Sequence, residues 1–94
     1  MKSIFFLVVL AACASNPATL SEQGREVQVL ASKPATECTV MGKVVGENQQ
    51  GSADLARNHA RNLAAKLRAN AIFITQEVPN GQTTQVFATA YQCE

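Results

Sequence analysis

Ala71-Ile72-Phe73-Ile74-Thr75-Gln76-Glu77-Val78, then Asn80-Gly81, then Thr83-Thr84-Gln85-Val86-Phe87-Ala88-Thr89-Ala90-Tyr91-Gln92-Cys93: this closing stretch decides the fold. It holds two β-forming segments around Asn-Gly, the strongest short-range signal for a hairpin, because both residues tolerate the left-handed backbone of a tight turn. A two-residue loop at 80–81 places Ile74 across from Phe87 and Phe73 across from Ala88. In that register large side chains meet on one face, and large meets small on the other. Alternation puts Phe87 and Tyr91 on one face of the last strand, and one of them is expected in the core beneath a helix.

That helix precedes the hairpin. Ser52 reads as its N-cap and Asp54 suits the first turn. From Ala53 to Ala69 the apolar Leu55, Ala56, Ala60, Leu63, Ala64 and Leu67 fall on one side. Asp54, Arg57, Asn58, Arg61, Asn62 and Arg68 fall on the other. The alanines make the core side thin, so the helix can lie close to a sheet. Asn70 is the expected left-handed stop. Upstream, Arg25–Ala31 alternates as a first strand, and Cys38–Gly46 reads as a second, with Gly42 marking a bulge or a close approach. The order strand-strand-helix-strand-strand predicts an α+β domain: a four-stranded mixed sheet with one helix packed on one face. A helical crossover makes the second and third strands parallel, which brings Cys38 and Cys93 to the same end of the sheet.

The other end of the chain concerns targeting. Lys2 precedes the apolar run Ile4-Phe5-Phe6-Leu7-Val8-Val9-Leu10 and the small residues Ala11-Ala12, the pattern of a secretory signal. The run is shorter than the about 20 residues that span a bilayer. The ending Leu10-Ala11-Ala12-Cys13 resembles a bacterial lipobox. That resemblance implies a lipoprotein signal peptide over 1–12 and a lipid on Cys13, the first mature residue. The alternative is an ordinary secreted protein in which Cys13 is incidental. Residues 13–24 then form a lipidated tether and 25–94 the domain. Ala14 stands where inner-membrane lipoproteins carry aspartate, so the likeness implies the outer membrane, with the domain facing the periplasm.

Assigning Cys13 to lipid leaves Cys38 and Cys93 out of three cysteines. In an oxidising compartment they are expected to pair as one disulfide, two buried free thiols being the alternative. A loop of that length adds about 4 kcal/mol in the chain-entropy model, useful to a domain this small.

From about Gly24 to Cys93 the chain resembles a family of small bacterial outer-membrane lipoproteins known only as a domain of unknown function. The likeness is carried by Val27-Gln28-Val29-Leu30 with Pro34, by Cys38-Thr39-Val40-Met41-Gly42-Lys43-Val44, by Ala56-Arg57-Asn58 and by Ala90-Tyr91-Gln92-Cys93. It implies the same Cys38–Cys93 bridge. More distantly, Ala64-Ala65-Lys66-Leu67-Arg68-Ala69-Asn70-Ala71-Ile72 is similar to the helix-to-strand junction of the sensor lipoproteins of the Rcs envelope-stress system, which signal by protein contact. Those carry two bridges and a long proline-rich tether, against one cysteine pair and a short linker in this chain.

Catalytic chemistry is hard to assemble. Without Lys2 the basic and acidic residues balance, so bulk charge does not suggest nucleic acid. His59 is the only histidine, and a zinc site needs about four ligands, so no metal or cofactor is expected. Ser52 lacks an evident base and acid, and Gly42, Gly46 and Gly51 do not form a phosphate-binding loop. No catalytic residue, no enzyme activity and no small-molecule substrate are expected. Arg57, Arg61 and Arg68 fall within about 40° on the helical wheel, and such a stripe can contact anions or a partner. The function expected is therefore a protein-binding or sensory module at the outer membrane, held by the lipid on Cys13 and meeting an envelope protein partner. The alternative is a structural accessory that binds lipopolysaccharide or peptidoglycan through the arginine stripe.

Overall fold

Ser21 caps a single helical turn, α1 (Glu22–Arg25), its hydroxyl accepting from the Gly24 amide. A computed structural model describes residues 19–34 and 37–94. The expected signal at 1–12, Cys13 and the start of the expected tether lie outside the described residues. After α1 come β1 (Gln28–Val29), β2 (Cys38–Asn48), α2 (Ala53–Lys66), β3 (Ala71–Asn80) and β4 (Thr83–Cys93). The four strands form one mixed sheet in the order β1-β3-β4-β2. β4 runs antiparallel to both β2 and β3, so those two are parallel with β4 between them, and β1 joins β3 in parallel.

The α+β architecture and the place of the helix match the sequence reading, and several details differ. The end of the expected tether is the helical turn α1, and the first strand shrinks to two residues, because Val27 turns into the core and leaves only Gln28 and Val29 to pair with Ala71 and Ile72. The hairpin turn sits at Gly81-Gln82: Asn80 stays in the strand opposite Thr83, and Gly81 takes φ 65°, as the first central residue of a type II′ turn does. The register moves with it. Ile74 faces Ala88 and Phe73 faces Thr89, while Phe87 faces Gln76 across a bulge at Thr75. The Thr75 hydroxyl donates to the Phe87 carbonyl at 3.1 Å, occupying the polar group beside the irregularity.

The core lies between α2 and one face of the sheet. Ala56, Ala60 and Ala64 are fully buried against Val44, Ile72, Val86, Ala88 and Ala90, with Val27 closing one end. Small side chains let the helix backbone reach the sheet itself. A Cβ at Gly46 would overlap the Ala56 carbonyl oxygen and crowd the Ala60 amide, so this position admits only glycine. Phe87 and Tyr91 do not lie under the helix. Alternation from Val86, Ala88 and Ala90 puts both on the opposite face, where Tyr91 sits between Val40 and Ala71.

Ser52 caps α2 by accepting from the Leu55 amide at 3.1 Å, and Asp54 occupies the first turn. The helix ends earlier than expected. Arg68, not Asn70, takes the left-handed conformation (φ 65°). The Ala69 amide reaches back to the Ala64 carbonyl and the Arg68 amide to the Ala65 carbonyl, the two bonds of a Schellman ending.

Two substitutions check this packing in urea unfolding of the oxidised protein. Gly46→Ala should lose about 3 kcal/mol by pushing α2 off the sheet. Arg68→Gly should gain about 1 kcal/mol by relieving a left-handed arginine.

Candidate functional site

The cysteine pair forms as expected. Cys38 and Cys93 stand directly opposite each other in the β2–β4 ladder, with Cα atoms 4.1 Å apart and a covalent bridge between them. Asn70 completes this end of the sheet. Its side-chain NH₂ donates to the Cys93 carbonyl at 2.7 Å, and its Oδ1 accepts from the Cys93 amide at 2.7 Å. Its backbone bonds Tyr91 and Gln28 as well, so one residue ties β1, β4 and the bridge together. Local sequence points instead to a helix stop at Asn70, because nothing in its neighbours shows that Cys93 will lie beside it.

Two members of the arginine stripe bond within the domain and the third lies past the end of the helix. Arg57 donates from Nε to Glu77 Oε2 at 2.6 Å and from Nη1 to Asp54 Oδ1 at 2.7 Å. The Glu77 bond is the chief influence pushing the Arg57 pKa further upward, so the group stays charged. Arg61 donates to two backbone carbonyls, Val27 at 2.9 Å and Arg25 at 3.0 Å, and so secures the link between α1 and β1. Arg68 lies beyond the end of α2 in a left-handed conformation, which takes it off the helical wheel. An expectation drawn from wheel angle alone omits what lies across from each residue.

The polar side of α2 also docks the start of the domain. Asn62 Oδ1 accepts from the Ser21 amide at 2.9 Å and from its hydroxyl at 3.1 Å, and Asn62 Nδ2 donates to the Thr19 carbonyl at 2.8 Å. Residues 19–25 thus belong to the folded unit. His59 accepts on Nδ1 from the Glu47 amide at 3.0 Å, which gives this boundary histidine a structural partner. Asn48 folds the loop before α2 by accepting from the Gln50 and Ser52 amides. Among the described residues no group of three or more His, Cys, Asp or Glu gathers where it could hold a metal ion, and no helix is long and apolar enough to cross a membrane.

What the internal bonds leave over is the sheet face away from α2. Lys43, Val45 and Glu47 of β2 stand there beside Thr89, Phe87 and Gln85 of β4. Val40 is 60% exposed and Val45 38%, with Phe73 and Phe87 half-buried nearby. Among the described residues no helix or second sheet covers this face. Sequence alternation identified Phe87 and Tyr91 as sharing a face; it could not tell which face the helix would choose.

Removal of each polar contact separates structural from spare residues. Asn62→Ala should cost about 1–2 kcal/mol and speed amide exchange at Ser21–Val27, because it strands three donors and acceptors. Arg57→Ala should cost less than about 1 kcal/mol, since its ion pairs are open to solvent.

A family model described as a domain of unknown function (DUF4156) matches residues 18–93. No curated protein and no solved structure matches the chain. The matched span takes in Thr19, whose carbonyl bonds Asn62, every helix and strand described above and the bridging Cys93, and the chain belongs to the DUF4156 family.

Proposed function

We propose that this chain is a small envelope lipoprotein, anchored to the outer membrane by a lipid on Cys13, whose domain faces the periplasm and works by binding another protein. The observation that carries the binding role is the uncovered sheet face, where Val40 and Val45 meet solvent beside Phe73 and Phe87. Large apolar and aromatic groups grouped on a surface are what a protein partner buries. Lys43 and Glu47 supply one charge of each sign there, a weak match for a polyanion. A stress-sensing role like that of the Rcs-type lipoproteins is the finer form of this reading.

The tether bears on geometry. If Cys13 carries the lipid, Thr19, whose carbonyl is held by Asn62, lies only six residues later, and that length of chain spans at most about 20 Å. The partner is then reached close to the membrane surface. The alternative, an accessory holding lipopolysaccharide or peptidoglycan through the arginine stripe, has less support, because Arg57 and Arg61 already bond within the domain.

Two experiments test the proposal in cells. A photo-crosslinking residue at Val45 or Phe87 should trap a discrete protein adduct, and one at exposed Lys66 should not; equal yields from all three positions would remove the open face from the reading. Cys13→Ala should end labelling by a fatty-acid analogue and release the protein from membranes. Labelling that persists in that variant would contradict the anchor.

A further inference from the structure

β2 is the long edge of the sheet. It pairs with β4 on one side only, over residues Cys38–Asn48. The Glu47 amide points away from β4, since it donates to His59 rather than to a strand. Outward-pointing amides recur at every second residue of an antiparallel edge, which places those of Val45 and Lys43 on the same outer rim. The side chains of these three residues share the open face.

Their order is self-complementary. Lys43 and Glu47 carry opposite charges at equal distances on either side of Val45. Lys43 is exposed and has no ion pair or hydrogen bond among the described residues. Glu47 is exposed and accepts only from Gln85, at 2.8 Å through Oε2. An edge lysine alone is a device against strand pairing. A lysine and a glutamate symmetric about one residue favour pairing with a second copy, because an antiparallel two-fold sets each lysine opposite the partner's glutamate.

We infer that a second copy of this chain adds its β2 to the β2 edge, antiparallel about a two-fold axis at Val45, giving a continuous eight-stranded sheet. Val45 meets its own counterpart at the centre, flanked by two Lys–Glu pairs. The two open faces join into one surface, with α2 of each copy behind it. The His59 ring occupies the Glu47 amide and therefore limits the pairing; when it turns aside, that amide becomes free for the partner strand. The inference concerns purified protein and does not rest on the envelope role proposed above.

Sedimentation equilibrium of the oxidised protein without its signal is the test, with circular dichroism to check the fold of each variant. The wild type should dimerise at concentrations below about 1 mM. Lys43→Glu and Glu47→Lys should each weaken the dimer about tenfold, because like charges then face each other. The double exchange Lys43→Glu/Glu47→Lys should restore it, since the symmetry keeps the charges complementary, and His59→Ala should strengthen it. A wild type that stays monomeric throughout, or a dimer indifferent to both single charge changes, overturns the inference. So does a monomer that accepts on β2 an extended strand from another protein.

Discussion

The backbone of α2 rests directly on Gly46 of β2, and the rest of the domain follows from that contact. Ala56, Ala60 and Ala64 present no bulk, so the helix approaches until its own carbonyl and amide groups limit it. A helix this close buries small side chains and leaves a thin core. Ile72, Val27 and Val86 are the largest fully buried side chains. Such a core removes little apolar surface from water, and a domain of this size has a narrow margin against conformational entropy.

Covalent and polar ties compensate. The Cys38–Cys93 bridge closes a loop of sequence separation 55 at one end of the sheet, and the two-way Asn70–Cys93 contact holds the same end to β1 and β3. Asn62, Arg61 and His59 then fasten α1, β1 and β2 to the helix. Much of the polar chemistry that drew attention in the sequence is thereby used for holding elements together. One helix covers one face, so the sheet keeps a second face on which Val40 and Val45 are exposed, Phe73 and Phe87 half-buried and Tyr91 buried.

How legible this was depended on whether a feature is local. The Ser52 cap, the alanine-rich side of α2 and the presence of a hairpin are written in neighbouring residues and are legible without the fold. The bridge was legible because the crossover topology brings its two strand ends together. The register was not: a bulge at Thr75 and a turn displaced to Gly81-Gln82 each move the pairing without changing composition or period. The partners of Arg57 and Arg61 were hidden for a related reason, since a wheel shows which residues share an angle and not that Glu77 or the Val27 carbonyl waits opposite. Cys13, on which the membrane reading turns, belongs to a part of the chain outside the described residues.

Which face α2 covers is the point on which fold and function meet, and proton–proton contacts measured by NMR in the oxidised domain address it directly. Strong cross-peaks between the Gly46 α protons and the Ala60 amide and α protons, with none between the Phe87 ring and the methyls of Ala56, Ala60 or Ala64, are the expected result. Phe87 ring contacts to those alanine methyls, with Gly46 silent, would put the helix on the other face and contradict both the packing and the open face on which the proposed binding role rests.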